Sequence, residues 1–167
     1  IYYQQASLIL TQCKSANYNP TFFGCDGLDG LLSIKNFDTS LCEGVMLLTP
    51  FAADAQDQAT QDFVKKYKDA YKGETPNQFA ADAYDGVMVL AELMKKEGIT
   101  ADMSASDICD KLKKAITDKD FSYDGLTGTG MKWGEDGAVS KDPKAVIIKN
   151  GAYSALTADD IAASTAQ

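Results

Sequence analysis

The sequence has 167 residues, an apolar fraction of 45% and a net charge of −8 at pH 7, which suit an acidic globular domain with a hydrophobic core. It contains no histidine, and all sixteen basic residues are lysines. Ser-His and Cys-His nucleophile pairs are therefore excluded, as are histidine-ligated metal sites. Because nucleic-acid binding depends on neutralising phosphates, an acidic chain without arginine is also a poor candidate for that function.

The first quarter of the chain alternates between helical and extended patterns. Apolar residues at helical spacing predict an amphipathic helix over residues 4–17. A short strand at 21–23 follows, and then a loop rich in glycine and aspartate at 25–30. The apolar run 45–48, bounded by glycine and proline, predicts a strand that is buried on both faces.

Two helices are predicted in the middle of the chain, over residues 58–72 and 78–97. The second has a wide apolar face, which predicts that it is largely buried. A third helix is expected to begin at Ser104, because Asp107 three residues later completes a capping box.

The four cysteines, Cys13, Cys25, Cys42 and Cys109, form no CxxC pair, so we expect neither zinc nor any other metal or cofactor. Cys13 lies in a predicted helix and Cys42 precedes a predicted strand, so both are expected to be buried small apolar side chains. We expect free structural thiols, with one disulfide as the open alternative.

Short strands and turns dominate after residue 120, with a hairpin turn at 134–137 and strands at 145–149 and 152–156. Together with the earlier alternation, they predict an α/β fold in which parallel-sheet layers carry helices on both faces, followed by a C-terminal β-hairpin region. The predicted strands are few for a parallel sheet, which normally has several. The sequence also starts on what we interpret as the end of a strand. We therefore expect a C-terminal fragment of a longer protein.

Several segments together resemble a known family. They are Tyr2-Tyr3 before a helix, NPTFFGCDG at 19–27, EGV at 43–45, FAADAYDG at 79–86 and the pair YDGLTG and WGEDG within 121–137. Their order and spacing resemble the second lobe of type I periplasmic solute-binding proteins, of the kind that serve branched-chain amino acid ABC transporters. The resemblance runs from residue 1 to about residue 156 and leaves the family's N-terminal half without a counterpart.

The resemblance implies two α/β lobes with the solute in a cleft between them, and binding without catalysis. On this basis residues 1–75 are part of the second lobe and 76–120 are helices returning to the first lobe. Residues 121–156 are the closing hairpin and strands, and 157–167 are a tail. The implied partners are a small-molecule amino acid, the membrane permease subunits of an ABC transporter, and either the missing N-terminal half or a swapped copy of the chain. The implied location is extracytoplasmic, in the periplasm or at the cell surface as a lipoprotein.

The resemblance also implies ligand-binding residues. Asp26 matches an acidic residue that takes the ligand's ammonium, Tyr2 and its neighbour Tyr3 match a tyrosine contact, and Phe79 matches an aromatic contact from the opposite lobe. Asp26 follows a strand end, where open α/β sheets bind ligands. The bland alternatives are an Asx-turn for Asp26 and rim or core packing for the aromatic residues. Without arginine, only half of an amino-acid site is expected here.

Three other functions remain open from the sequence. The first is the ligand-sensing domain of an extracellular receptor with the same fold. The second is an enzyme that uses Asp26 and Asp29 as paired carboxylates, although nothing in the sequence supplies oxyanion or leaving-group chemistry. The third is an isolated half-protein that associates with itself through exposed sheet edges without binding a solute.

Overall fold

A computed structural model describes residues 1–165 and confirms the predicted α/β class. The α-helices are α1 (Tyr3–Ser15), α2 (Gln58–Ala70), α3 (Gln78–Lys96), α4 (Ala105–Ile116) and α5 (Ala158–Thr165). The strands are β1 (Phe23–Gly24), β2 (Met46–Thr49), β3 (Lys132–Trp133), β4 (Val139–Ser140), β5 (Lys144–Lys149) and β6 (Ala152–Ala155). Short 3-10 helices occupy Asp26–Leu28, Leu31–Ser33 and Thr39–Cys42. The last two residues of the predicted tail lie outside the described residues.

The chain forms two compact units. The first comprises residues 1–78 and 143–167, and the second comprises residues 79–142. The chain therefore leaves the first unit directly after Gln78, which is also the first residue of α3.

The first unit contains a four-stranded sheet in the order β1-β2-β5-β6. β1 and β2 are parallel, with Phe23 opposite Met46, whereas β5 is antiparallel to β2 and β6 is antiparallel to β5. The expectation of a parallel sheet is thus correct only for β1 and β2. A tight turn through Asn150 and Gly151 joins β5 to β6, and both residues have positive φ angles, as a two-residue hairpin requires.

The core of the first unit lies between this sheet and α1. Val45, Met46 and Leu47 are all buried, which confirms that the central strand is covered on both faces, and Leu48 is half-buried. Cys42 is fully buried in the same core, and its burial raises the pKa of its thiol to about 11. All four cysteines are free thiols, as expected, but Cys13 is half-buried rather than buried.

The second unit packs α3 and α4 against the hairpin of β3 and β4. Its core contains Val89 and Leu93 of α3, and Phe121 stacks on Trp133 with ring centroids 6.0 Å apart. The predicted N-cap is confirmed, since the Asp107 N–H donates to the Ser104 hydroxyl. The Asp107 carboxylate accepts that hydroxyl rather than the Ser104 backbone N–H, so the second bond of a capping box is replaced.

The prediction that α3 is largely buried is wrong. Large apolar side chains of this helix are exposed: Tyr84, Val87, Met88, Leu90 and Met94. Within the second unit, α4 and the hairpin provide apolar partners for one stripe of α3 only, so the wide apolar face is covered on one side.

No helix within residues 1–165 combines the length and the apolar character needed to cross a membrane.

Candidate functional site

The loop after β1 places Asp26 beyond the end of a strand. β1 ends at Gly24, and Asp26 opens a 3-10 turn in which the Asp29 N–H donates to the Asp26 carbonyl at 3.0 Å. The Asp26 side chain is exposed, and no group within residues 1–165 donates a hydrogen bond to its carboxylate. An Asx-turn would need such a bond. Other aspartates do accept backbone N–H groups in this way: Asp38, Asp57, Asp118 and Asp136. The Asp26 carboxylate is therefore available to an external cation.

Tyr2 lies beside this loop. It precedes α1 in an extended conformation and is 62% exposed. Tyr2 and Asp26 line one concavity of about 500 Å³ in the first unit, a volume typical of small-molecule sites. The two segments approach closely at Gly27, where a Cβ atom would overlap the carbonyl oxygen of Ile1. Because Gly27 has no side chain, the segment before α1 can lie directly against the Asp26 loop.

Tyr3 lines a different concavity. Its ring packs against Gly30, and it contributes to a larger concavity of about 1130 Å³ that also includes Asp29. Neither Tyr2 nor Asp26 lines that larger concavity. The smaller concavity is the candidate site, because the Asp26 carboxylate, which accepts no hydrogen bond from the described residues, lies there. Of the two adjacent tyrosines, only Tyr2 therefore shares a concavity with Asp26.

Asp29 is held inside the first unit. It is 5% exposed, and one of its carboxylate oxygens accepts the backbone N–H of Gln78 at 2.6 Å. The Gly30 N–H donates to the Tyr153 hydroxyl at 3.2 Å. Burial, together with the nearby Asp29 carboxylate, raises the pKa of Tyr153 far above its usual range. Asp26 and Asp29 thus line different concavities, which does not favour a paired-carboxylate enzyme site.

Phe79 is the first residue of the second unit, so its proposed contact with the ligand stays a prediction. Sequence reasoning missed Gln78, which is 1% exposed and bonded to the loop after β1 and to the last residue of β2. A buried glutamine at a helix start has no distinctive sequence signal, because the same residue is common on solvated helix faces. No group of three metal-ligating side chains occurs in the part of the chain that the structure describes.

The model of the periplasmic binding protein family matches residues 2–152, so the chain belongs to that family. No curated protein sequence shows a significant match to the chain.

Solved structures share the fold. The leucine binding protein LivK from Thermotoga maritima is 24% identical, with a TM-score of 0.69 over 95% of this chain and 43% of its own. The branched-chain amino acid transporter substrate binding protein LivJ from Streptococcus pneumoniae, solved with isoleucine, is 23% identical, with a TM-score of 0.73 over 93% and 41% of the two chains. An ABC transporter solute binding protein from Rhodopseudomonas palustris, solved with benzoate, is 19% identical, with a TM-score of 0.72 over 90% and 39%.

The chain spans about two fifths of the length of these proteins. It therefore has part of the type I periplasmic binding protein fold that ABC transporter substrate-binding proteins share.

Proposed function

We propose that the chain contributes to an extracytoplasmic solute-binding component of an ABC transporter, and that the solute is an amino acid whose ammonium group binds Asp26. Tyr2 lines the same concavity and contacts the solute there. Permease subunits of the transporter are the partners that receive it. Phe79 keeps the role that the family resemblance implies for it, as a prediction.

One observation carries this proposal. The Asp26 carboxylate is exposed at the end of a parallel strand and accepts no hydrogen bond from residues 1–165, while it lines a concavity of suitable size. A free carboxylate in such a place attracts an ammonium group and disfavours a solute that is only an anion. Two of the related structures contain a ligand, which is isoleucine in one and benzoate in the other. The charge of Asp26 favours the amino acid, because benzoate has no cation to offer.

The decisive experiment is calorimetric titration of the natural gene product that contains this chain. The panel contains leucine, isoleucine, valine, polar amino acids and benzoate, and the variant is Asp26→Asn. Loss of one partner of a desolvated charge pair costs about 2–5 kcal/mol, so affinity should fall by roughly thirty-fold to several thousand-fold. The matched control is Asp54→Asn, an exposed aspartate in the loop after β2, which should bind like the unaltered protein.

Equal affinities for the unaltered protein and Asp26→Asn would reject Asp26 as the ammonium partner. Benzoate binding without amino-acid binding would reject the solute class. A receptor that senses the same amino acid would give the same titration. Genes for permease subunits beside the natural gene would favour transport over sensing, and their absence would favour the receptor.

A further inference from the structure

We propose that Gln78 is a positioning residue for the solute site, because its side chain holds the backbone of the Asp26 turn in place. This inference rests on the proposed function of Asp26 and concerns how that carboxylate is aimed. All of the contacts that support it lie within the first unit.

Gln78 makes hydrogen bonds through both polar atoms of its side chain and through its backbone N–H. Its side-chain Nε2 donates to the Asp26 carbonyl at 2.7 Å, its Oε1 accepts from the Thr49 hydroxyl at 3.2 Å, and its backbone N–H donates to the Asp29 carboxylate at 2.6 Å. Only 1% of Gln78 is exposed, and its bonds to Thr49 and Asp29 are buried, so water has little access to the side chain. Removing the amide would therefore leave buried polar groups without partners, which is costly.

The partners of Gln78 lie in the loop after β1 and at the end of β2. Asp26 and Asp29 are in the loop after β1, and Thr49 is the last residue of β2. Thr49 is itself fixed, since its hydroxyl accepts the Phe51 N–H at 3.2 Å and shares its single proton between the Phe51 carbonyl at 2.9 Å and the Gln78 Oε1 at 3.2 Å. One side chain at the start of α3 thus connects the Asp26 turn to the end of β2.

The Asp26 carbonyl receives two donors, the Gln78 amide and the Asp29 N–H that closes the 3-10 turn. Both bonds restrict the peptide plane that follows Asp26, and so they restrict the direction of its Cα–Cβ bond. A short 3-10 turn has weak internal hydrogen bonds of its own. The external donor from Gln78 is therefore what keeps the turn, and the carboxylate on it, in one orientation before the solute arrives. Such preorganisation contributes to affinity.

Two variants separate positioning from plain stability. Gln78→Met keeps the length of the side chain and the backbone N–H to Asp29, but it removes the donor to Asp26. Thr49→Val keeps the shape of Thr49 and leaves the Gln78 bond to Asp26 intact, but it removes the bonds of Thr49 to Gln78 and Phe51. Both should destabilise the protein in urea unfolding by similar amounts, because each removes side-chain hydrogen bonds from a buried place.

Binding distinguishes the two variants. In calorimetric titration of the natural gene product, Gln78→Met should bind the amino acid about three- to ten-fold more weakly, the equivalent of one lost hydrogen bond. Thr49→Val should stay within two-fold of the unaltered protein. Equal affinity of Gln78→Met and the unaltered protein would overturn the inference, and so would equal losses in both variants.

A second measurement does not depend on the solute. Hydrogen exchange of the Asp29 amide reports how often the turn opens, because that N–H bonds the Asp26 carbonyl. Exchange should be faster in Gln78→Met and unchanged in Thr49→Val, and unchanged exchange in Gln78→Met would overturn the inference. Failure of the proposed function is visible separately, since the unaltered protein would then bind no amino acid. That result would overturn the positioning role even if exchange at Asp29 responded as expected.

Discussion

The two units each contain a buried aspartate that accepts backbone N–H groups, and the two sites differ in what lies next to them. In the first unit, Asp29 sits in a loop and accepts the N–H at the start of α3. In the second unit, Asp85 sits within α3 and accepts the N–H groups of Leu126 and Thr127 at 2.9 and 2.8 Å, together with the Thr127 hydroxyl at 2.8 Å. Both carboxylates join a loop to the same helix. Both residues are also buried, since Asp29 is 5% exposed and Asp85 is 4% exposed.

The difference lies in the neighbouring charge. Beside Asp29, the loop presents a second carboxylate, Asp26, which is exposed and bonded to no described group. Beside Asp85, the nearest acidic residue along the helix face is Asp82, whose carboxylate accepts a hydrogen bond from the Lys141 ammonium at 2.7 Å. The first unit thus has one carboxylate that is hydrogen-bonded within the protein, Asp29, and one that is not, Asp26. In the second unit, Asp85 and Asp82 both bind groups of the protein. This contrast separates an aspartate that supports the fold from one that is available to a solute.

The largest effect is expected from Asp85→Ala. It leaves two backbone N–H groups and one hydroxyl without their acceptor in a buried place, so the free energy of unfolding should fall by about 3–5 kcal/mol. Urea unfolding measures it. Asp82→Ala is the control on the same helix. It removes a partly exposed ion pair and should cost less than about 1 kcal/mol. If Asp85→Ala also lowered the free energy of unfolding by less than about 1 kcal/mol, Asp85 would not be the structural carboxylate that the comparison makes it.

A smaller effect is expected from Asp29→Asn. The amide can still accept the Gln78 N–H, but a neutral acceptor is weaker than a carboxylate and compensates the helix dipole less, so we expect a loss of about 1–2 kcal/mol. Asp26→Asn should change the free energy of unfolding by less than about 0.5 kcal/mol, as exposed substitutions usually do. If the two variants had equal stability, the distinction between Asp29 as a structural carboxylate and Asp26 as a carboxylate without a structural role would be wrong.

A further prediction concerns self-association through the sheet edges of the two units. β1 lies at one end of the four-stranded sheet, and its Phe23 is 60% exposed. An open edge of this kind invites a strand from a second copy. Light scattering of the 167-residue chain should show a mass that rises with concentration. Phe23→Lys should weaken this association by about ten-fold, since an edge lysine opposes pairing.

Val139→Lys is the matched control for that experiment, because Val139 is an exposed residue of β4 in the two-stranded hairpin of the second unit. It should leave the association unchanged. A monomer at every concentration, or equal effects of the two lysine substitutions, would contradict the prediction.

Much of the local structure follows from the sequence. The positions of α1, α2, α3 and α4 agree with the predicted helices within about two residues at most ends, because apolar spacing and caps such as Ser104 are local signals. The burial of 45–47 also follows from a continuous apolar run between glycine and proline. The family resemblance could be recognised because short segments rich in glycine, aspartate and aromatic residues follow one another in the family's order and spacing.

The tertiary structure decided the rest. Strand direction in the sheet depends on how the chain returns from the second unit to form β5, which no local pattern reports. The exposure of Val87 on α3 depends on which partners cover the helix, so a wide apolar face did not imply full burial.

The same holds for the candidate site. The sequence singled out Asp26 by its place after a strand end, but its availability is defined only by the absence of a described donor near its carboxylate. Asp29 and Gln78 lie 49 residues apart in the chain, yet they share a hydrogen bond. Their burial is set by packing between segments that are distant in sequence, and a single sequence contains no record of such long-range pairs. The sequence therefore indicated candidate site residues, and the fold determined which of the two neighbouring carboxylates accepts hydrogen bonds within the protein.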